Sequence, residues 1–437
     1  MKVSPPPDGP HESEKSSMSR IFIPRPLEIV AMTLFMLLAG LQFLFMGFWS
    51  FAVVAVVRGV IAPFMCLILL LVLMGSVRHV AIQNQRQQKL TRFRKGALGC
   101  YFLCFVSTFV PLLQSLRVIN ALPGAFSFGR WLFLSLHRLN LSGTAHGDHR
   151  PETYTFRSHR SLEDRDPDMR WSEGCQSSSR SFDPDLKLDV WRPENPNGQA
   201  ILYIHGGGWS LLDKSNSFHI RHMLESGYTV VSPQYSLVCH GYNGVDMLDD
   251  LVAARRYLST HAEQWGVDNQ RVTVVGTSSG GHLALLLAYT HPLNFTSVYN
   301  LYGPGDFTEW FEKGWTAGGT AGEKFICHNV EDWWSFVAPN CDPEGIESVS
   351  PISLVTGDSP RTVTLHGTSD SLIPFYLSEA LHAKLDELGV ENSLIGLYGF
   401  DHGLDLGEAS VGSQIFRWTL TAMMNGVEGL GWEKFDV

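Results

Sequence analysis

The stretch that decides the fold is Arg271-Val272-Thr273-Val274-Val275-Gly276-Thr277-Ser278-Ser279-Gly280, followed by Gly281-His282-Leu283-Ala284-Leu285-Leu286-Leu287-Ala288. The β-branched run before the first glycine predicts a short buried strand, and the apolar run after the G-x-S-x-G pattern predicts a helix. The pattern therefore falls on a sharp turn, where small residues let strand and helix approach closely. In such a nucleophile elbow, the hydroxyl of Ser278 projects above the sheet.

A second glycine motif, His205-Gly206-Gly207-Gly208-Trp209, lies at the end of a predicted strand at residues 200–205. Acyl transfer builds negative charge on a carbonyl oxygen, and that charge needs preorganised N–H donors. Consecutive glycines let backbone amides turn toward a ligand without interference from Cβ. We therefore predict an oxyanion hole made by the N–H groups of Gly206, Gly207 and Ser279. The alternative is a phosphate-binding loop, but no G-x-G-x-x-G or G-K-[ST] pattern follows.

Two later strand ends provide an acid and a base. One strand runs from Thr362 into a turn that contains Asp370, and another runs from Leu394 into a loop that contains His402. A serine hydroxyl is a poor nucleophile until a base takes its proton, so His402 must lie within hydrogen-bond reach of it. Asp370 would fix the tautomer of His402 and stabilise the imidazolium that forms. The chain order Ser278, Asp370, His402 is the order typical of α/β-hydrolases.

Three residues compete for these roles. Asp401 adjoins His402, but adjacent side chains in an extended loop point apart, so Asp370 is the better candidate for the acid. Asp405 is a weaker rival again. Ser279 is excluded as the nucleophile if the elbow register holds, because it then supplies only its backbone amide.

These motifs together resemble the α/β-hydrolase superfamily, in its hormone-sensitive-lipase-like branch of carboxylesterases. The resemblance extends from about residue 180 to the C-terminus, and it rests on residues 205–209, Asp268-x-x-Arg271-Val272, the elbow with Gly281-His282-Leu283-Ala284, His366-Gly367-x-x-Asp370-x-x-Ile373-Pro374, and His402-Gly403. The motifs are also similar to membrane-bound isoprenylcysteine methylesterases and to feruloyl-esterase-like and formamidase-like enzymes. One departure is Gln234-Tyr235-Ser236-Leu237-Val238, where many relatives have Asp-Tyr-Arg-Leu-Ala-Pro-Glu. This change leaves the triad intact and leaves the substrate class open.

The N-terminal third of the chain predicts membrane attachment. Only Arg58 interrupts the apolar tract at residues 29–77, which is about twice the ~20 residues that cross a bilayer, so two spans near 29–49 and 59–77 are expected. Residues 96–116 form a third candidate span, and an interfacial or re-entrant segment is its alternative. The basic loop at residues 78–95 should be cytoplasmic. If the third segment spans, the catalytic domain is lumenal; otherwise it faces the cytosol.

We therefore expect an integral membrane protein of the endoplasmic reticulum or another endomembrane, with a lumenal catalytic domain. Glycosylation sequons at Asn140-Leu141-Ser142 and Asn294-Phe295-Thr296 would be usable there. Four cysteines lie outside the membrane tracts, and Cys327 with Cys341 is the candidate disulfide. No cysteine has zinc-site spacing, and we predict no metal and no cofactor. The net charge of −10 disfavours a nucleic-acid partner.

The predicted domains are a disordered tail (1–26), a transmembrane region (27–117), a linker or interfacial segment (118–180) and the hydrolase domain (181–437). Within the hydrolase domain, alternating strands and helices, among them strands near 200–205 and 361–366 and a helix near 214–226, predict a mostly parallel sheet with helices on both faces. A cap insert is expected at about 302–350, where aromatic residues are dense. We predict that Trp209 and the insert residues Trp310, Trp333 and Trp334 contact substrate. The alternative for the insert is that its rings only pack it onto the core.

The expected function is hydrolysis of a carboxylic ester by a membrane-anchored serine hydrolase, with an apolar or lipid-like substrate reached from the membrane. An amidase or peptidase would use the same triad and oxyanion hole. A non-catalytic receptor or scaffold with the hydrolase fold is a further alternative, although such proteins usually lose a member of the triad. The sequence does not predict the oligomeric state.

Overall fold

A computed structural model gives the structure of this protein, and it describes residues 102, 149–158, 185–216, 219–238, 242–290, 293–313, 338–339, 342–406 and 410–426. The strands are β1 (Glu152–Ser158), β2 (Asp185–Trp191), β3 (Ala200–Ile204), β4 (Thr229–Pro233), β5 (Val272–Thr277), β6 (Phe295–Leu301), β7 (Arg361–Gly367) and β8 (Asn392–Leu397). The helices are α1 (Ile220–Glu225), α2 (Gly244–His261), α3 (Ser279–Thr290), α4 (Phe307–Lys313), α5 (Pro343–Glu347), α6 (Pro351–Leu354), α7 (Tyr376–Glu387) and α8 (Val411–Met424).

The strands form one eight-stranded sheet in the order β1-β2-β4-β3-β5-β6-β7-β8. The pairs β1–β2 and β2–β4 are antiparallel, and every pair from β4 to β8 is parallel. The predicted α/β-hydrolase fold with a mostly parallel sheet is thus confirmed. Because the parallel strands all end at the same edge, the turns after β3, β5, β6, β7 and β8 meet there.

The central strands are apolar because both faces of the sheet are covered. In β3, Ile201 and Tyr203 face one hydrophobic cluster, and Leu202 and Ile204 face the other. Buried residues of α1 and α8 complete the first cluster, while those of α2, α3 and α7 belong to the second. The sheet therefore separates two hydrophobic cores and fixes the strand ends that position the candidate site.

Two elements differ from the sequence-based expectation. Strand β1 lies within the predicted linker at 118–180, so that interpretation is wrong for Glu152–Ser158, which pairs with β2 with one irregularity between Thr155 and Arg157. The helix expected at 214–226 begins only at Ile220. Its expected first turn is a loop instead, because the carboxylate of Asp213 accepts a bond from the Ser215 amide and the Asn216 side chain accepts one from the Asp213 amide.

Several predictions concern residues outside the described ranges. These are the disordered tail, the three membrane spans apart from residue 102, the Cys327–Cys341 pair, Asn140, most of the cap insert, and both Trp333 and Trp334. Within the described ranges, no helix has the length and hydropathy needed to cross a bilayer.

Candidate active site

Ser278 occupies the turn between β5 and α3 with a φ of 54°, a left-handed conformation that is uncommon for a residue other than glycine. Two backbone bonds hold it there. Its amide donates to the Leu301 carbonyl at 2.8 Å, and its own carbonyl accepts from the His282 amide at 3.1 Å. The elbow predicted from the sequence is therefore present, with a strained backbone at the serine itself.

The two glycines of the pattern are required by close packing of the backbone. A Cβ on Gly276 would lie 2.1 Å from the Gly280 carbonyl oxygen. A Cβ on Gly280 would lie 2.2 Å from the Ile204 carbonyl oxygen at the end of β3. Any side chain at either position would force the first turn of α3 away from the sheet, and Ser278 would move with it.

The structure brings Ser278, His402 and Asp370 into one hydrogen-bonded line. His402 Nε2 lies 2.9 Å from Ser278 Oγ, and His402 Nδ1 lies 2.8 Å from Asp370 Oδ2. Because a carboxylate only accepts, Nδ1 is the protonated nitrogen, which leaves the Nε2 lone pair directed at the serine hydroxyl. Ser278 and His402 are partly exposed, whereas Asp370 is buried. This arrangement gives an accessible hydroxyl with a base beside it and a water-excluded anion behind the base.

The Asp370 carboxylate is saturated with donors. Oδ1 accepts from the amides of Leu372 and Ile373 at 2.9 and 2.8 Å, and Oδ2 accepts from His366 Nε2 at 3.0 Å as well as from His402. Burial alone would raise the pKa of Asp370, but the His402 charge and the bonds from both histidines hold it well below its ordinary value. The carboxylate is therefore ionised throughout the physiological pH range.

His366 bonds the Asp370 carboxylate, a role that its place in the His366-Gly367-x-x-Asp370 motif does not by itself predict. Its Nδ1 accepts from the Ser378 hydroxyl at 2.8 Å, so Nε2 holds the proton that it shares between Asp370 and the Ile373 carbonyl. The side chain is fully buried. Its position four residues before the acid, at the end of β7, was the only signal available.

Opposing effects act on the pKa of His402. Burial disfavours the imidazolium, but the Asp370 charge and hydrogen bond, assisted by the charges of Asp401 and Asp405, outweigh it and raise the pKa above its ordinary value. The site therefore favours the imidazolium that forms when His402 takes a proton.

Neither rival acid contacts the ring nitrogens of His402. Asp401 Oδ1 accepts from the Ser371 amide and hydroxyl and from the His402 amide, each at 2.8 Å, so it ties the loop after β8 to the loop after β7. Asp405 instead contacts Tyr302 and His219.

The predicted oxyanion-hole residues lie beside Ser278. A Cβ on Gly206 would lie 3.2 Å from Ser278 Cβ, and Gly207 has a φ of 118° that a residue with a side chain rarely adopts. Ser279 is the first residue of α3, where backbone N–H groups have no acceptor within the helix. The loop after β3 and the start of α3 thus present backbone donors next to the serine.

The chain is similar in sequence to known esterases. The BD-FAE family model matches residues 188–385. Esterase LipC of Mycobacterium tuberculosis is 24% identical over 51% of this chain and 58% of its own length. Probable isoprenylcysteine alpha-carbonyl methylesterase ICMEL1 of Oryza sativa subsp. japonica is 24% identical over 53% of this chain and 57% of its own length.

The chain has the α/β-hydrolase fold, and its sequence is similar to carboxylesterases of the hormone-sensitive-lipase-like type. The chain spans somewhat more than half the length of the curated relatives that it matches. Among solved structures, an acetyl ester-xyloside bifunctional hydrolase from Caldicellulosiruptor lactoaceticus superposes with a TM-score of 0.48 at 18% identity, over 64% of this chain and 97% of that chain.

Tyr235 packs against the predicted oxyanion loop at residues 205–209. Its hydroxyl donates to the His205 carbonyl at 2.8 Å, and its ring stacks on the His205 imidazole at a centroid distance of 4.4 Å. His205 Nδ1 in turn bonds the Gly206 carbonyl at 2.8 Å. Burial lowers the pKa of His205 to about 4, so the imidazole is neutral. The sequence signal was a tyrosine retained in a segment that has lost its charges.

Trp209 and Trp310, predicted to contact substrate, lie in the core with exposed fractions of 3% and 1%. The Trp209 indole donates to His282 Nδ1 at 3.2 Å, and His282 Nε2 donates to the Val349 carbonyl at 2.7 Å. The prediction is therefore corrected for these two residues, because both pack inside the protein. In the described part of the chain, no cluster of three or more His, Cys, Asp or Glu side chains is arranged to bind a metal.

Proposed function

We propose that this chain is a serine hydrolase that cleaves carboxylic esters through an acyl-enzyme on Ser278. The observation that supports the proposal most directly is the line from Ser278 Oγ through His402 to Asp370, with links of 2.9 and 2.8 Å. The esterases among the relatives support the choice of an ester over other acyl substrates.

In the first half-reaction, Ser278 Oγ bonds to the ester carbonyl carbon while His402 Nε2 takes the hydroxyl proton. The carbonyl oxygen becomes an oxyanion, which the amides of Gly206, Gly207 and Ser279 stabilise. When the tetrahedral intermediate collapses, the bond to the alkoxy oxygen breaks and His402 returns its proton to the leaving alcohol. Water then repeats the sequence on the acyl-enzyme, releasing the carboxylic acid and free Ser278.

Asp370 acts through His402. Its charge stabilises the imidazolium in both half-reactions, and its bond to Nδ1 keeps Nε2 free to accept the serine proton. His366 and the two backbone amides prevent the carboxylate from rotating away.

The mechanism is tested with the full chain in membranes or detergent. Wild type should hydrolyse a short-chain p-nitrophenyl ester and react covalently with a fluorophosphonate, whereas Ser278→Ala should do neither. Ser353→Ala is the matched control, because Ser353 is an exposed serine in the short helix α6. Labelling that persists in Ser278→Ala would contradict the assignment of the nucleophile.

We further propose that the domain is anchored in an endomembrane by residues 27–117, faces the lumen, and acts on an apolar ester. The uncharged tracts of the sequence support the anchor. The isoprenylcysteine methylesterase among the relatives and the aromatic residues of the cap insert support an apolar substrate, such as a lipid ester or a prenylcysteine methyl ester.

Two measurements test these finer proposals. In sealed vesicles, a membrane-impermeant fluorophosphonate should label Ser278 only after permeabilisation if the domain is lumenal. Across a series of esters with one leaving group, kcat/KM should increase with acyl or alkyl chain length if the substrate is apolar. A parallel amide series identifies an amidase, which would hydrolyse amides at rates comparable to those of matched esters.

A further inference from the structure

Tyr302, the residue that follows β6, packs against the imidazole of His402. The ring centroids are 4.7 Å apart and the planes meet at 67°. Tyr302 is buried and has a φ of 43°, and its amide donates to the Leu365 carbonyl in β7 at 2.9 Å. A left-handed conformation is costly for a bulky aromatic residue, so the surrounding structure must hold this ring in place.

The Tyr302 hydroxyl donates to another buried carboxylate, that of Asp405. The other oxygen of Asp405 accepts from His219 Nε2 at 3.2 Å. The Asp405 side chain has no exposed surface, and the His219 side chain is 2% exposed. His219 caps α1 with a φ of 62° and packs against Phe416 of α8. Three separate segments of the chain therefore meet at one carboxylate that solvent does not reach.

The triad bonds leave one direction of His402 movement unrestrained. The bonds to Ser278 and Asp370 both lie near the plane of the imidazole, because ring nitrogens bond along in-plane directions. These bonds resist rotation within the plane but give little resistance to tilting or sliding across it. The ring of Tyr302 meets the imidazole at a steep angle and blocks that movement. Asp405 in turn fixes the Tyr302 hydroxyl.

We propose that Tyr302 and Asp405 are a positioning pair for His402, and that His219 connects this pair to the segment after the oxyanion loop. The inference rests on the proposed function, since it assigns the pair to the base of that reaction. A buried carboxylate is costly unless it is fully bonded, and both oxygens of Asp405 are bonded, one of them to the tyrosine that packs on the ring that accepts the serine proton.

The pair also acts electrostatically. Among the described residues, the titratable groups that face His402 are Ser278, Tyr302, Asp370, Asp401 and Asp405, and those that face Asp405 are His219, Tyr299, Tyr302 and His402. The Asp405 charge is one of the causes that raise the pKa of His402. Removing that charge lowers this pKa, so the base form appears at lower pH and the rising limb of the pH profile moves down.

Two variants test the proposal in the full chain. Tyr302→Phe removes one hydroxyl and keeps the ring, and Asp405→Asn keeps the shape and removes the charge. Both should lower kcat, by roughly 10- to 100-fold, because a loosened base is misplaced by a fraction of an ångström. KM should change little. The rising limb of kcat/KM should move to lower pH in Asp405→Asn and should not move down in Tyr302→Phe.

The matched controls are Tyr289→Phe and Asp250→Asn. Tyr289 is a buried tyrosine whose hydroxyl bonds Thr362 Oγ1 at 2.8 Å, and Asp250 is a buried carboxylate bonded to Arg157 and to the Ser236 amide. These controls should keep kcat and the pH profile of wild type even if their melting temperatures fall.

The outcomes separate this inference from the proposed function. Folded Tyr302→Phe with the kcat and pH profile of wild type would overturn the positioning role while Ser278-dependent activity stands. A wild type that neither hydrolyses esters nor reacts with a fluorophosphonate would overturn both. If Asp405→Asn does not fold, the kcat of Tyr302→Phe decides, because that variant loses a single oxygen atom.

Discussion

Replacing Asp370 by asparagine is the sharpest test of the site, because no orientation of the amide fits the four donors around it. One oxygen faces the N–H groups of His402 and His366, and the other faces the amides of Leu372 and Ile373. With its NH2 toward the histidines, the new amide forces His402 Nδ1 to accept and Nε2 to hold the proton, so Nε2 no longer serves as base. With its NH2 toward the loop, two backbone donors lose their acceptor.

The expected loss follows from these alternatives. The wrong tautomer costs about 10⁴-fold in kcat in a serine protease triad, which corresponds to about 5 kcal/mol of transition-state stabilisation. Avoiding it by rotating the amide would leave two buried N–H groups unsatisfied, at about 1–3 kcal/mol each. We therefore expect Asp370→Asn to lose about 10³- to 10⁴-fold in kcat and to fold with a reduced free energy of unfolding.

The assay is steady-state hydrolysis of a p-nitrophenyl ester across pH, with thermal melting of the same samples. The residual activity should have its rising limb at lower pH than wild type, because the Asp370 charge that raises the pKa of His402 is gone. Asp401→Asn is the paired variant, and it should cost about tenfold or less, since Asp401 bonds the His402 amide and not its ring. A larger loss in Asp401→Asn than in Asp370→Asn would refute the assignment of the acid.

Three further outcomes are expected. Gly276→Ala should be destabilised by about 3 kcal/mol or more in thermal melting, because its Cβ would lie 2.1 Å from the Gly280 carbonyl oxygen, while Gly357→Ala, where the nearest atom is 3.7 Å away, should melt near wild type. Wild-type kcat/KM should rise with increasing pH, and the midpoint of that rise should lie above about pH 6.5, because the pKa of His402 is raised above its ordinary value. A midpoint at lower pH would contradict the raised pKa. If the domain is lumenal, the exposed Asn294 should be glycosylated, so an endoglycosidase should shift the wild-type band more than that of Asn294→Gln.

The parallel strands could be predicted closely because they are buried on both faces. The expected strand at 361–366 is Arg361–Gly367 in the structure, and the expected strand at 200–205 is Ala200–Ile204. Such strands read as continuous apolar, β-branched runs that end at turn residues. In these strands, the same apolar side chains that mark the strand in the sequence are the ones that both faces of the sheet bury.

Strand β1 was missed because its environment is mixed. As an edge strand it pairs on one side only, and most of its residues are partly or fully exposed. Tyr154 and Phe156 alternate with polar residues and pack against the core, which is the period-2 signal of a half-buried strand. The charged residues around it outweighed that signal. The alternation Thr153-Tyr154-Thr155-Phe156 was the pattern that could have revealed the strand.

The triad and its supporting residues differ in how far the sequence reveals them. Ser278, Asp370 and His402 each follow a strand, and parallel strands bring their ends together, so chain order alone predicts their proximity. No comparable rule predicts the contacts of Asp405 from chain order, because Tyr302 and His219 lie 103 and 186 residues from it in the sequence.

The sequence indicates Asp405 only as a weak rival for the acid, a role that requires contact with a nitrogen of His402. The structure gives it a different geometry, in which the carboxylate bonds a tyrosine that packs on the imidazole. A residue that acts on the base only through another side chain has no recognisable sequence motif, since many side-chain pairs could restrain the same ring. We therefore expect the triad positions to tolerate almost no substitution, whereas the Tyr302–Asp405 pair should be replaceable by any pair that restores a rigid ring against His402. Saturation mutagenesis of both positions together, selected for ester hydrolysis, should recover such pairs, and recovery of small side chains at residue 302 with wild-type kcat would contradict the restraint.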